Sequence, residues 1–115
     1  MSDVDLLDCV VVLCTVPNAD AGDALARGLV EARLAACVNR IGPIRSVYRW
    51  KDEVHAHEEH QLVIKTTAEA LPGLRDFVAA SHPYEVPELV AIEGHCLTEP
   101  YAAWLRAQVG AQVGA

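Results

Sequence analysis

Cys37-Val-Asn-Arg-Ile-Gly-Pro-Ile-Arg-Ser-Val-Tyr-Arg-Trp-Lys-Asp52 is the stretch whose reading decides the fold. It reads as one long strand running into a turn at Lys51-Asp52, because Asp tolerates a left-handed backbone better than most residues. Residues 53–66 return as the partner strand, polar at first and apolar at Leu62-Val63-Ile64. Gly42-Pro43 interrupts the outgoing strand. Proline has no N–H for a ladder, so the dipeptide reads as a bulge or bend within the strand. On the return strand His55 and His57 point to the same face, roughly 6.5–7 Å apart, close enough to share a metal ion. His60 points away.

Upstream of this hairpin, residues 9–16 (Cys-Val-Val-Val-Leu-Cys-Thr-Val) form a continuous apolar run with β-branched bias. Such a run predicts a strand buried on both faces. Pro17 stops it, and Asn18 or Asp20 can cap the helix that follows. That helix carries Leu25, Leu29, Val30 and Leu34 as one apolar stripe through about residue 34. Downstream, Leu71, Leu74, Phe77 and Val78 mark a second helix that must stop before Pro83. Leu89–Ile92 reads as a fourth strand, and Thr98 can cap a last helix with Tyr101, Trp104 and Leu105 on its inner side.

The order is β-α-β-β-α-β plus a C-terminal helix. This predicts an α+β, ferredoxin-like βαββαβ sandwich with a long hairpin between its second and third strands. The strand order of such a sheet is 4-1-3-2. It brings the end of strand 1, at Cys14-Thr15, beside the loop from His82 to Glu88.

The 115 residues suit a single domain, with an ordered core over about 8–109 and a flexible tail at 110–115. A net charge of −7 argues against nucleic acid as a partner, since no basic stripe overrides the global field. Arg40, Arg45, Arg49 and Lys51 are followed at once by Asp52, Glu53, Glu58 and Glu59. No apolar run approaches the ~20 residues of a membrane span. The start lacks a basic segment of the secretory kind, so a cytoplasmic protein is expected. Cys9, Cys14, Cys37 and Cys96 show no Cys-x-x-Cys spacing and are expected as free thiols, with Cys9 and Cys37 filling the core.

Cys14 with His82 is the leading candidate metal site. A thiolate with an imidazole suits copper or zinc rather than calcium or magnesium. Two ligands are too few for a closed site, so Glu85 or Glu88, a water, or a neighbouring chain must help. Without a metal, Cys14 reads as a core thiol and His82 as a helix-end cation. Hydrolase chemistry lacks its parts: no nucleophile elbow and no glycine-rich phosphate loop are present.

Six segments stand out in order: Val12-Leu13-Cys14-Thr15, Leu34-Ala35-Ala36-Cys37-Val38-Asn39, Ser46-Val47-Tyr48-Arg49-Trp50, Lys65-Thr66-Thr67, His82-Pro83-Tyr84-Glu85-Val86-Pro87-Glu88, and Tyr101 with Trp104. Together they resemble the CutA divalent-cation tolerance family. The resemblance implies a non-catalytic homotrimer of ferredoxin-like subunits that acts in tolerance of divalent metals, with copper as the ligand of bacterial members. Ser81 stands where some members carry a second histidine. The trimer also suits the chain physically, because open sheet edges and the apolar Tyr48 and Trp50 near the hairpin tip call for a cover. Tyr48, Trp50, Lys65, Tyr84, Glu88 and Trp104 are expected along the contacts or clefts between subunits. The alternative is a trimeric regulator of the PII type, holding a nucleotide or small anion in those clefts near Arg40, Lys65 and Glu88.

Overall fold

A computed structural model describes residues 7–110. The chain runs β1 (Leu7–Val16), α1 (Ala19–Glu31), β2 (Cys37–Trp50), β3 (Glu53–Thr66), a 3-10 turn (Ala68–Ala70), α2 (Leu71–Ser81), β4 (Val90–Cys96) and α3 (Glu99–Gln108). The sheet order is β2-β3-β1-β4 with antiparallel neighbours throughout, the order expected from the sequence. The fold is α+β, a four-stranded antiparallel sheet with three helices.

The hairpin forms as read. Lys51 and Asp52 both have positive φ, 52° and 67°, the pairing that matches a two-residue turn to the right-handed twist of its strands. Between Ile41 and Ile44 the register shifts: Ile41 faces Gln61, and Ile44 faces Glu59. Gly42-Pro43 therefore sits in a bulge, two residues of β2 against one of β3. At 15.5 Å the radius of gyration exceeds the roughly 13 Å of a compact chain of about 100 residues. The projecting hairpin accounts for the difference.

Side chains alternate across the sheet. Val10, Val12, Cys14 and Val16 of β1, with Leu62 and Ile64 of β3, meet Leu25 and Leu29 of α1 and Leu74 and Val78 of α2 in the main core. The other face of β1 (Val11, Leu13, Thr15) is only partly covered within one chain, so burial on both faces is not reached. On β4, Val90 and Ile92 are exposed.

Asn18 caps α1, its side-chain oxygen accepting from Ala21 N–H at 2.8 Å. The helix ends at Glu31, short of residue 34, in paired closing bonds from Arg33 N–H to Val30 C=O and from Leu34 N–H to Leu29 C=O. Arg33 takes the left-handed position at φ 61°. Its guanidinium donates to Ala107 C=O at 2.8 Å, which ties this turn to α3. Val30 is 41% exposed, contrary to expectation, because the buried seam runs through Gly22, Leu25 and Leu29 and Val30 lies about 100° off it.

α3 corrects a second stripe. Ala102, Leu105 and Val109 pack against Ala36, Ala70, Cys96 and Cys9, while Tyr101 (44%) and Trp104 (43%) stay exposed and lean on each other at 5.4 Å. Thr98 occupies the cap position without a side-chain bond. Gly110, the first residue of the expected tail, donates its N–H to Arg33 C=O at 2.9 Å. The rest of the expected tail, residues 111–115, lies outside the described residues. All four cysteines are free thiols; Cys9 and Cys37 are partly exposed, and Cys14 and Cys96 are buried.

Candidate functional site

The cleft between the hairpin and the 82–88 loop is built by alternation and by one reach across the fold. Because the two-residue turn sets the register, Ser46 stands opposite His57, Tyr48 opposite His55, and Trp50 opposite Glu53, all on one face of the ribbon. Glu59 continues that face. The loop after α2 crosses in front of it, and Tyr84 OH donates to Glu59 Oε2 at 2.6 Å. The resulting cleft, about 890 Å³, is lined by Thr15, Tyr48, Trp50, His55 and His57 on one side and by Tyr84, Glu85 and Glu88 on the other. A second cleft, about 700 Å³ between the end of α1 and α3, is lined by residues such as Leu34, Gly73 and Arg106 and carries no histidine or cysteine.

The hairpin wall is an imidazole-rich cluster. Tyr48 stacks on His55 with ring centroids 5.5 Å apart, and its hydroxyl lies 3.0 Å from His57 Nδ1. The rings of His55 and His57 are edge to face at 5.7 Å. His55 Nε2 is only loosely approached, 3.8 Å from Glu53. His60 points to the other face, with Nδ1 at 3.1 Å from Arg40, as the strand period requires.

The loop wall is anchored by His82. It is buried at the end of α2, where Tyr84 N–H donates to its Nδ1 at 3.0 Å. That acceptor role places the proton on Nε2, which donates to Thr15 C=O at 2.8 Å. β4 pairs with β1 only as far as Leu13, so Thr15 lies beyond its end and His82 satisfies a carbonyl there. Cys14 is fully buried, and its thiol also leans on Thr15 C=O, at 3.8 Å. Burial, then the charge of Glu88, pushes the Cys14 thiol up to about 12. The fold thus brings Cys14 and His82 together, but as two donors to one carbonyl. His82 has no free lone pair as it stands, Cys14 is a buried thiol that keeps its proton, and Glu85 is exposed.

The carboxylates decide the electrostatics. Glu59 is 8% exposed and holds the Tyr84 hydroxyl. Burial first, then the hydrogen bond and charge of Glu59, push the Tyr84 phenol well above its usual range. Glu88 Oε1 is buried and has no hydrogen-bond partner. Among the described residues, no three His, Cys, Asp or Glu side chains converge in a metal-holding group. Lys65 and Trp104 do not line this cleft: Lys65 donates to the Asn39 side chain, and Trp104 lies on the outer side of α3. Sequence reasoning placed Thr15 beside the 82–88 loop without giving it a role, and it missed Glu59, although the period of two that pairs His55 with His57 extends directly to Glu59.

The chain matches the family described as CutA1 divalent ion tolerance protein over residues 10–108. It is 46% identical over 100 residues to the divalent-cation tolerance protein CutA of Thermus thermophilus, covering 87% of this chain and 97% of that one. It is 44% identical to protein CutA of Homo sapiens over 92 residues, covering 80% of this chain but only about half (51%) of the human protein. Among solved structures, the Thermus thermophilus protein superposes with a TM-score of 0.86 at 45% identity, covering 89% of this chain and 99% of that chain. CutA1 from Oryza sativa gives 0.87 at 38% identity, covering 91% and 96%.

Proposed function

Because this chain belongs to the CutA1 divalent ion tolerance family, we propose that it binds a divalent transition-metal cation, copper in the first instance, in the cleft between the hairpin and the 82–88 loop, in the service of metal tolerance. The observation that carries this reading is Glu88 Oε1, a buried carboxylate oxygen without a partner on the wall of that cleft. An unpaired buried carboxylate is costly and invites a cation. The imidazoles of His55 and His57 on the opposite wall select a borderline metal over calcium or magnesium. One chain supplies only part of a coordination shell, so water or a neighbouring subunit completes it.

The working assembly is a homotrimer of ferredoxin-like subunits, cytoplasmic and non-catalytic. Its support is the apolar surface that one chain leaves open: Val47 and Val54 on the hairpin, Trp50 at 47% exposure, Val90 and Ile92 on β4, and Trp104 on α3. Such a surface invites burial against other chains. A nucleotide- or anion-binding regulator is disfavoured by the lining. Glu59, Glu85 and Glu88 would repel phosphate, while Arg40 is paired to Asp23 at 2.6 Å and Lys65 to Asn39.

Titration calorimetry with copper(II), beside light scattering for the oligomeric mass, tests the proposal. His55→Ala with His57→Ala, and separately Glu88→Gln, should each weaken binding, and Cys14→Ser should leave it unchanged. Loss of binding in Cys14→Ser with retention in the histidine variant would move the metal to Cys14 and His82. A mass of one chain at micromolar protein would refute the assembly.

A further inference from the structure

A different pair of side chains lies outside the cleft, where β1, β4 and α3 meet. Cys9 on β1 stands opposite Gly94 on β4, and Cys96 lies two residues further along the same face. Gly94 contributes no side chain between them; a Cβ there would sit 3.5 Å from Cys9 Sγ. Ala102 and Leu105 of α3 cover the pair, with Cys96 buried and Cys9 still partly open to solvent. Cys9 packs against the buried cluster that contains Cys96. The Cys9 thiol is raised by burial first, then by the hydrogen bond and charge of Cys96 and the charge of Asp8.

The diagonal placement favours a bridge longer than a disulfide. Diagonal neighbours on an antiparallel pair are about 7–8 Å apart at Cα. A disulfide wants about 4.4–6.8 Å. Two metal–sulfur bonds of about 2.3 Å, placed end to end, reach further than one sulfur–sulfur bond of about 2.05 Å. Aliphatic side chains (Ala36, Ala70, Ala102, Leu105 and Val109) pack around the two cysteines, a setting that suits a soft ion of low coordination number.

We propose that Cys9 and Cys96 form a two-coordinate site for copper(I), separate from the divalent-cation cleft. On binding, each thiol releases its proton to solvent and two sulfur–copper bonds form. No electron moves, because copper enters as copper(I). The cover of α3 keeps water and oxidants from the ion, and the open side of Cys9 is the route of entry. A protein that meets copper in both oxidation states would then hold each on ligands matched to its softness.

The test is an anaerobic titration of the full chain with the acetonitrile complex of copper(I), against a chromophoric copper(I) chelator. One copper(I) per chain should be withheld from the chelator. Cys9→Ala and Cys96→Ala should each abolish that retention, while Cys37→Ser and the His55/His57 double variant leave it intact. X-ray absorption on the loaded wild-type protein should show a shell of two sulfurs, a readout that needs no variant to fold. Retention of copper(I) by the Cys9→Ala/Cys96→Ala double variant, or a nitrogen- and oxygen-dominated shell, would overturn the proposal. So would a native Cys9–Cys96 disulfide found by mass mapping after exposure to air. Because the cleft is read with copper(II) and His55, His57 and Glu88, either site can fail without the other.

Discussion

Tyr84→Phe is the most informative single change, because it deletes one oxygen and keeps the ring that walls the cleft. In the native protein that oxygen donates to Glu59 at 2.6 Å, and Glu59 is buried. A hydrogen bond to a charged group contributes about 1.5–3 kcal/mol. The cleft is open enough for water to reach the orphaned carboxylate, so the expected loss is about 2 kcal/mol, at the low end of that range. Urea unfolding at fixed protein concentration reads this as a lower midpoint at unchanged slope. Fixing the concentration matters because assembly would couple to folding. Glu59→Gln keeps an acceptor for the phenol but removes the charge, so it should cost less. The double variant closes a thermodynamic cycle, and residues in direct contact are expected to couple by about 0.5–3 kcal/mol. A coupling energy indistinguishable from zero would refute the claim that this bond joins the hairpin to the 82–88 loop. The cleft would then have no fixed second wall.

Cys14 predicts an alkaline sensitivity. Its thiol is raised from 9.0 to about 12 in the native state. Between those values the unfolded chain loses the proton while the native protein keeps it, so stability falls as pH rises from about 9 to about 12. At about 1.4 kcal/mol per unit the loss is capped near 4 kcal/mol. Cys14→Ala should flatten that alkaline limb of a urea-midpoint series, and an unchanged slope would show that the thiol is not the source. His82→Ala removes both the donor to Thr15 C=O and the acceptor for Tyr84 N–H, at about 1–3 kcal/mol for each buried group left unpaired. Amide exchange at Tyr84 should quicken more than exchange in the β1–β3 ladder; equal acceleration everywhere would mean that His82 is not a local clasp.

Where the determinants are local, the sequence by itself was sufficient. The Lys51-Asp52 turn, the Gly42-Pro43 bulge and the Asn18 cap each follow from the backbone preferences of one or two residues, and each stands where it was read. The strand order followed too, because the alternation of strands and helices leaves few ways to cover one sheet. Helix faces were less secure. Val30 and Trp104 lie one step of about 100° from the buried seams, and an apolar residue does not reveal on which side of a seam it falls. The chemistry depended most on the tertiary structure. Cys14 and His82 look like metal ligands as residue types, but their protons are engaged by Thr15 C=O and the remaining His82 lone pair by Tyr84 N–H. Glu88 was one of two carboxylates the sequence offered, and folding distinguishes it from the exposed Glu85 by burying one of its oxygens without a partner. Cys9 and Cys96, 87 positions apart, become a pair only because β4 returns beside β1 with Gly94 leaving the gap between them. Residue type sets which chemistry a side chain can do, and burial and hydrogen bonding across the sheet set whether it is free to do it.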